Sequence, residues 1–382
     1  MTIAYPGLAE RRRNVMSGDE VVRRDATFMI KSLEQEFEQM AGDRLLITGA
    51  AGFLGYYLAH AVALWNELRP GSAIRLTASD SYFRGRPDWL RQLGQQPGVD
   101  IETWDVRQPL PATFEPPQWI VHAASIASPT FYRAHPLETM DANVDGLRRL
   151  LDAAVTWQKQ GTPAKGILFF SSSEIYGDPE VIPTPEDYRG SVSCTGPRAC
   201  YDEAKRYGET LCTVFARHHG LPVKIARPFN NYGPGLKLND RRVVSDFARD
   251  ILAGRDIVMY SSGKATRTFC YVADAVVGYY KVLVNGHNGE AYNIGTEKPE
   301  ISIGDFGRMM CSLGAELFGY RGRVVMQPPP DGDYMKDNPN RRCPVLDKAS
   351  AHVRYQPRVE LEDGLRRMLL WYADQPTSQE ER

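Results

Sequence analysis

The chain has 382 residues, of which 42% are hydrophobic and 10% aromatic, so it can bury a substantial core. Its 46 basic and 47 acidic residues give a formal charge of −1, which argues against nucleic acid as a partner held through bulk positive charge. Six cysteines without a CxxC pair, and no stretch of roughly 20 apolar residues, predict a cytoplasmic protein with reduced thiols and no membrane partner.

The first 40 residues are expected to form a helical extension in front of the main fold. Ser17 and Glu20 have the spacing of a helix cap, and apolar residues recur at roughly helical spacing from Val21 to Phe37. A short basic run occupies residues 11–13. The pattern favours a helix that packs on the body of the protein or on a partner chain, without a catalytic role.

From residue 43 onwards, short apolar runs alternate with amphipathic stretches of helix length. The runs predict strands at residues 44–48, 74–78, 119–123, 166–170 and 223–227. Such alternation is typical of parallel strands joined by crossover helices. The sequence therefore predicts an α/β protein with a doubly wound parallel sheet.

Three glycines with the spacing GxxGxxG follow the first predicted strand directly. Gly49 permits a tight turn, Gly52 lets the backbone approach a pyrophosphate, and Gly55 lets the next helix pack closely on the strand. Phe53 and Leu54 lie in the first turn of that helix, where backbone N–H groups and positive potential favour phosphate. The position of the motif predicts a dinucleotide-binding (Rossmann) turn.

An acidic residue at the end of the second predicted strand indicates which dinucleotide binds. Asp80 occupies the place where a carboxylate accepts hydrogen bonds from the adenosine ribose, and it would repel a 2′-phosphate. Asp105 and Val106, after the next run, are expected to close on the adenine. We therefore predict NAD as the cofactor, while Arg84 and Arg86 leave NADP open.

Tyr201 and Lys205 lie four residues apart, which places them one turn apart on one helix face. A lysine ammonium and a cationic nicotinamide ring would both favour the phenolate form of the tyrosine. Tyr201 can then take the proton from a substrate alcohol while hydride leaves for the cofactor. The pair predicts a dehydrogenase-type step.

Hydroxyl groups and a carboxylate follow the strand predicted at residues 166–170, and ligands bind at the carboxyl ends of strands in α/β sheets. We expect Ser172 to share the reacting oxygen with Tyr201. Ser173 and Glu174 are expected to face the substrate, and Ser171 to cap a turn.

With these motifs the sequence resembles the extended short-chain dehydrogenase/reductase family, in its nucleotide-sugar branch, over about residues 43–372. The resemblance also rests on the Ser-Glu-Ile-Tyr-Gly run at 173–177 and the Arg-Pro-Phe-Asn-Asn-Tyr-Gly-Pro run at 227–234. Within the branch, residues 196–206, 242–247 and 266–272 look most like the UDP-glucuronate decarboxylases, or UDP-xylose synthases. The resemblance implies an NAD-dependent carboxy-lyase that converts UDP-glucuronate, or a close nucleotide hexuronate, to a UDP-pentose.

The resemblance also implies roles for individual residues. Tyr201 and Lys205 match the acid/base couple, Ser172 matches the residue that holds the C4 oxygen, and Ser173 with Glu174 match the pair beside the sugar. The remaining matches are Arg342 near the substrate carboxylate, with Arg341 as the adjacent alternative, Tyr132 facing the sugar, and Asn230, Arg242 and Arg267 holding the nucleotide diphosphate.

The same resemblance implies a division of the chain. Residues 41–227, with 271–296 returning to them, would form an NAD-binding Rossmann domain behind the extension of residues 1–40. Residues 228–270 and 297–375 would form a smaller C-terminal lobe that binds the nucleotide sugar. Family members commonly pair through helices that include the one carrying Tyr201, so a homodimer is expected.

Other functions are weighed against this one. The 4,6-dehydratases carry an aspartic acid that protonates the departing hydroxyl where this chain has Ser173, and serine is no general acid near neutral pH, so dehydration is disfavoured. A nucleotide-sugar C4-epimerase stays open. A non-catalytic NAD-binding sensor or a scaffold would have no need for Tyr201, Lys205 and residues 172–174 together.

Two features fall outside the pattern. After Tyr232-Gly-Pro the decarboxylases usually carry Arg-Met, whereas Gly235 and Leu236 follow here. We assign the missing cation to the nucleotide lobe, which leaves the base of the nucleotide open. His218 and His219 lack cysteine or carboxylate partners at metal spacing, so no metal is predicted.

Overall fold

The structure, a computed structural model, describes residues 16–112, 114–328 and 338–375, so the basic run at 11–13 lies outside the described residues. Short strands alternate with longer helices along the chain. The strands are β1 (Arg44–Thr48), β2 (Arg75–Asp80), β3 (Val99–Thr103), β4 (Trp119–His122), β5 (Gly166–Phe170), β6 (Val223–Pro228), β7 (Asn231–Tyr232), β8 (Ile257–Met259), β9 (Thr266–Thr268), β10 (Cys270–Tyr271), β11 (Ala291–Ile294), β12 (Glu300–Ser302), β13 (Val324–Met326) and β14 (Arg341–Arg342).

The helices connect these strands and cover them. They are α1 (Gly18–Ser32), α2 (Glu34–Met40), α3 (Phe53–Leu68), α4 (Asp88–Leu93), α5 (Pro129–Ala134), α6 (Pro136–Asp141), α7 (Leu147–Lys159), α8 (Ala199–His219), α9 (Val243–Leu252), α10 (Val272–Asn285), α11 (Ile303–Phe318), α12 (Asp347–Val353) and α13 (Leu361–Asp374). None of the described helices is both long and apolar enough to cross a membrane.

Seven strands form one parallel sheet in the order β11-β6-β5-β4-β1-β2-β3. Ile47 of β1 lies between Ala78 of β2 and Val121 of β4, so buried side chains line up across the middle of the sheet. The strand order reverses between β1 and β4, and doubly wound sheets bind ligands in the crevice beyond the carboxyl ends of strands at such a point. The predicted doubly wound Rossmann sheet is confirmed.

Both faces of the sheet are covered by helices, which explains why its strands are apolar throughout. One hydrophobic cluster packs α1, α3 and α10 on one face, with Trp65 and Tyr280 among its buried residues. A second cluster packs α7 and α8 on the other face through residues such as Leu150 and Phe215. The helix that carries Tyr201 is therefore fixed against the sheet.

The N-terminal helix begins as predicted. The Ser17 hydroxyl accepts from Glu20 N at 3.2 Å, and Ser17 N donates to the Glu20 carboxylate at 2.7 Å, which makes a reciprocal capping box. The helix ends at Ser32 and a second helix carries Phe37, so the apolar pattern spans two helices. Both helices pack on the body of the protein, where Phe37 is fully buried between Trp65 and Tyr280.

The residues after 228 add small sheets beside the main one. These are β12-β9-β14, β13-β8 and β10-β7, while β11 joins the edge of the main sheet next to β6. They form a smaller C-terminal part of the fold, and its strands β9 and β14 carry Arg267 and Arg342 as register partners. The exact division into domains stays a prediction.

Candidate active site

The turn after β1 has no room for a side chain at two of its three glycines, Gly49 and Gly55. Gly49 has φ +72°, and a Cβ there would lie 2.7 Å from the backbone of Ala124. A Cβ on Gly55 would lie 2.3 Å from the carbonyl oxygen of Ala50. Gly52 precedes α3 with no side chain capping that helix, so N–H groups at its start stay available for a phosphate.

Asp80 lies at the end of β2, beside this turn. Its carboxylate accepts from Ala51 N at 3.0 Å and Tyr82 N at 2.7 Å, and burial raises the pKa of Asp80. Arg84, one of the two arginines that left NADP as an alternative cofactor, forms a salt bridge with Asp240 at 3.0 Å. A carboxylate fixed in this way suits a ribose diol better than a phosphate.

A cleft beside the turn collects most of the residues predicted to bind the cofactor. Arg107 donates to both oxygens of Asp105, so the aspartate lines the cleft with its carboxylate already paired. Glycine backbone at a helix start, an acid and an apolar wall together fit a dinucleotide. The cleft is lined by the predicted residues Gly49, Gly52, Phe53, Asp80, Asp105 and Val106.

Helix α8 and strand β5 bring the predicted acid/base pair together. Lys205 Nζ donates to Phe170 O at 2.7 Å and lies 5.6 Å from the centre of the Tyr201 ring. The Tyr201 ring stacks on Tyr132, with ring centres 5.0 Å apart and planes at 11°. The stacking fixes the orientation of the phenol at the cleft wall.

Burial dominates the electrostatics of this pair. It raises the pKa of Tyr201 to about 12, although the hydrogen bond with Ser172 acts in the opposite direction. Burial also lowers the pKa of Lys205 to about 7. In the protein alone, desolvation therefore disfavours the phenolate form of Tyr201 that the sequence led us to expect.

The serine that caps the turn after β5 is Ser172 and not, as expected, Ser171. Ser172 caps the turn, because its hydroxyl accepts from Glu174 N at 3.2 Å, and its side chain lines the same cleft as the Tyr201 phenol, whose pKa it acts to lower. Ser171, which we expected to cap the turn, instead donates to Glu209 on α8 at 2.5 Å. The expectation for Ser171 was wrong because its partner lies on a helix far away in sequence.

Glu174 lies between two guanidinium groups. Arg342 donates to one of its oxygens and Arg198 to the other. Burial alone would raise the pKa of Glu174, but the two arginines outweigh it and lower the pKa. Arg341 is half exposed and pairs with Glu300, so the geometry supports Arg342 as the arginine of the site.

Sequence reasoning assigned no role to Arg198. It precedes α8 directly and is buried, with a second contact to the Asn338 side chain at 3.0 Å. One signal was available, since Arg198 stands three residues before Tyr201 and so about one helical turn from it.

The predicted substrate residues share a second cleft, which adjoins the cofactor cleft and encloses about 490 Å³. Asn230 donates to Thr268 O at 2.9 Å, and Arg242 pairs with Asp240 at 2.9 Å. Burial, followed by repulsion from Arg342, lowers the pKa of Arg267 to about 10. Predicted residues that line this cleft are Leu54, Tyr132, Ser172, Ser173, Glu174, Tyr201, Lys205, Asn230, Arg242, Arg267 and Arg342.

The structure corrects the place of the missing cation. Gly235 lines the cofactor cleft with Asp80, and not the part that holds Glu174. It has φ +90°, and a Cβ there would lie 2.8 Å from the Tyr56 ring, which leaves no room for an arginine side chain. The change from the usual decarboxylase pattern therefore bears on the cofactor end and gives no argument about the base.

The two adjacent histidines lie at the end of α8. His218 and His219 are exposed in its last turn. Across residues 16–112, 114–328 and 338–375, no three His, Cys, Asp or Glu side chains are grouped as a metal site.

Comparisons with known proteins place the chain in a family. The model of the NAD dependent epimerase/dehydratase family matches residues 45–295. UDP-glucuronic acid decarboxylase 1 of Xenopus tropicalis is 35% identical over 329 residues, which cover 86% of this chain and 72% of that protein. UDP-glucuronic acid decarboxylase 5 of Arabidopsis thaliana is 35% identical over 324 residues, which cover 84% of this chain and 87% of that protein.

A solved structure has the same fold. UDP-glucuronic acid 4-epimerase from Bacillus cereus, in complex with UDP-glucuronic acid and NAD, superposes with a TM-score of 0.70 at 23% identity, covering 86% of this chain and 98% of that one. The family match, the decarboxylase relatives and the shared architecture lead to one assignment. The chain belongs to the NAD dependent epimerase/dehydratase family, in which it is related to the UDP-glucuronic acid decarboxylases.

Proposed function

We propose that this protein decarboxylates a UDP-hexuronate, UDP-glucuronate in the first place, to a UDP-pentose with NAD as the resident cofactor. One observation carries the proposal. Arg198 and Arg342 converge on a carboxylate, that of Glu174, in the same cleft as Tyr201, Ser172 and Lys205. A subsite that attracts carboxylates beside an alcohol-oxidising pair is what a uronate decarboxylase needs. The decarboxylase relatives support the same substrate.

The cofactor would be held by the turn at residues 49–55 and by Asp80. Bound there, NAD supplies the oxidation of the C4 alcohol and the later reduction of the C4 ketone. The chain itself contributes binding, orientation and proton transfer.

Tyr201 removes the proton of the C4 hydroxyl, and Ser172 holds the oxygen of that hydroxyl. Because burial raises the pKa of Tyr201 to about 12, the proton transfer depends on positive charge beside the phenol, which the nicotinamide ring of the bound cofactor would supply. Lys205, held at Phe170 O, adds to this charge only while it is protonated, because burial lowers its pKa to about 7. Oxidation at C4 places the C5 carboxylate β to a ketone.

Carbon dioxide then leaves, and the electron pair of the broken bond moves to the C4 oxygen as an enolate. Tyr201 and Ser172 donate hydrogen bonds to that oxygen, and in a buried site such bonds stabilise the developing charge. Arg342 orients the carboxylate before it leaves, because its planar fork can grip two oxygens. Glu174 and Arg342 are the groups placed to position a water molecule that delivers a solvent proton to C5, because the two arginines lower the pKa of Glu174 and a guanidinium keeps its own protons.

We also propose a homodimer. The side chains of Leu137 and Met140 on α6, and of Tyr207 and Val214 on α8, are large, apolar and between 42% and 69% exposed. Tyr207 and Val214 lie seven residues apart, hence on one face of α8. A second copy of the chain, packed through the same faces, would cover this surface. Sedimentation of the protein tests this.

The domain division given above and a cytoplasmic location are part of the same proposal. Supporting the location, the six cysteines lie unpaired, as is typical of a reducing compartment.

The deciding experiment incubates the purified protein with UDP-glucuronate, UDP-glucose and UDP-galacturonate, and measures released CO₂ and the masses of the products. We expect CO₂ and a UDP-pentose from UDP-glucuronate, and neither with Tyr201→Phe or Arg342→Ala. A product of unchanged mass that separates from the substrate by chromatography would identify the C4-epimerase, and loss of water a dehydratase. Release of a 4-keto pentose together with NADH would show that the protein decarboxylates its substrate but does not carry out the final reduction at C4.

A further inference from the structure

Arg198 connects the start of helix α8 to the sugar cleft. One terminal nitrogen donates to the Glu174 carboxylate and the other to the Asn338 side chain at 3.0 Å. On its other side, Arg198 Nε lies 3.6 Å from an oxygen of Asp202. The guanidinium is therefore held in place by groups from three segments of the chain.

Glu174 covers the two arginines on the side of the cleft. Its side chain is 24% exposed, whereas those of Arg198 and Arg342 are 11% and 4% exposed. A ligand that enters the cleft therefore meets the glutamate before it can reach the guanidinium donors. A carboxylate of the ligand can pair with these arginines only if Glu174 gives up at least one of its contacts.

Positive charge prevails around Glu174. Arg267 lies beside Arg342 on the neighbouring strand, and repulsion among the three arginines contributes to the lowered pKa of Arg267. Among the residues that the structure describes, the carboxylates that act on this cluster are Glu174, the buried Asp202 behind Arg198, and Asp178, whose charge acts on Arg267. A second carboxylate that replaces Glu174 would keep the arginines paired, so the exchange has a small electrostatic cost.

We infer that Arg198 is a specificity-determining residue, and that Glu174 occupies the place between Arg198 and Arg342 that the hexuronate carboxylate takes when it binds. This inference rests on the proposed function. Glu174 moves aside on binding, which puts its carboxylate next to the sugar, and it returns to the arginines once the substrate carboxylate has left as CO₂. Its return favours release of a pentose that no longer carries an acid group.

The test measures binding in the full chain with NAD present and with Tyr201→Phe as the parent, so that substrate is not consumed. Calorimetry gives the Kd of UDP-glucuronate and of UDP-glucose, which differ in the carboxylate. We expect Arg198→Ala to raise the Kd of UDP-glucuronate on the order of 10- to 100-fold and to leave the Kd of UDP-glucose nearly unchanged. Arg341→Ala is the matched control, because that arginine pairs with Glu300 away from Glu174, and it should change neither constant.

Glu174→Gln distinguishes two roles of Glu174. It either gives up its place between the arginines to the substrate carboxylate, or it only holds the arginines in position. If Glu174 competes with the substrate carboxylate, loss of its charge should tighten UDP-glucuronate binding on the order of tenfold and leave UDP-glucose unchanged. Weaker binding of UDP-glucuronate to this variant overturns the exchange, and an unchanged preference for UDP-glucuronate in Arg198→Ala overturns the role of Arg198. A parent that binds both ligands equally would contradict the proposed function instead.

Discussion

The Ser171 hydroxyl donates a 2.5 Å hydrogen bond to Glu209, two turns after Tyr201 and one turn after Lys205 on helix α8. Arg227 of strand β6 grips the same carboxylate with two nitrogens, at 2.8 and 2.6 Å. The helix that carries the acid/base pair is thereby tied to the strand end that carries Ser172.

We predict that Glu209→Gln impairs catalysis from a distance. Loss of the charge leaves Arg227 buried without its ion pair and loosens the spacing between Tyr201 and Ser172. We expect kcat to fall on the order of 10- to 100-fold with KM for the nucleotide sugar nearly unchanged, as a positioning role requires. Steady-state CO₂ release measures both constants.

Glu203→Gln is the control, because that residue lies on the same helix and is partly exposed beside Arg206. The Glu203→Gln enzyme should have the kcat and the KM of the wild type. A Glu209→Gln enzyme with normal kcat would show that the network serves stability alone.

Gly55→Ala should disrupt the cofactor site. The added methyl group would lie 2.3 Å from a backbone oxygen of Ala50, so helix α3 must shift away from β1 and its N-terminus with it. We expect NAD affinity to fall at least about tenfold by calorimetry. Gly71→Ala, where nothing lies within 4 Å of the new atom, should bind NAD like the wild type. Equal affinity in both variants would remove the steric argument.

The sequence predicted the elements whose signals are local. The apolar runs, the glycine spacing and the pair Tyr201 and Lys205 depend on neighbours within a few residues, and the structure has them where expected. The partners of Arg198 and Ser171 are distant in sequence, so their contacts follow only from the packing of α8 on the sheet. Arg341 and Arg342 alternate on a strand, and only the fold decides which one faces the cleft.

The N-terminal extension held a signal that the sequence analysis did not use. Asp25 stands four residues after Val21 on the apolar face of α1, and a charge at such a position predicts a buried partner. The carboxylate is fully buried and accepts from Tyr57 at 2.6 Å, Tyr271 at 2.5 Å and Arg367 at 2.7 Å. The extension is thus joined to α3, β10 and α13.

Asp25→Ala should therefore destabilise the protein by about 3–5 kcal/mol, because it leaves Arg367 and two tyrosine hydroxyls buried without their acceptor. Urea denaturation followed by fluorescence measures the loss. Arg24→Ala, on the exposed side of the same helix, should stay within about 0.5 kcal/mol of the wild type. Similar stabilities for the two variants would mean that α1 contributes little to the fold.

Lys205 makes stability depend on pH in a defined direction. Burial lowers its pKa from 10.5 to about 7, so between these values the unfolded chain binds a proton that the folded protein does not. The free energy of unfolding should therefore rise with pH, by up to about 1.4 kcal/mol per unit from this group. In Lys205→Met that contribution is absent. Urea denaturation at pH 7 and pH 9 should show the wild type gaining about 2 kcal/mol relative to the variant.

The control is Lys159→Met, which removes an exposed lysine on α7 and should show no such gain. A constant difference between the wild type and Lys205→Met would mean that Lys205 keeps its proton in the folded protein, and that Tyr201 has a permanent cation beside it.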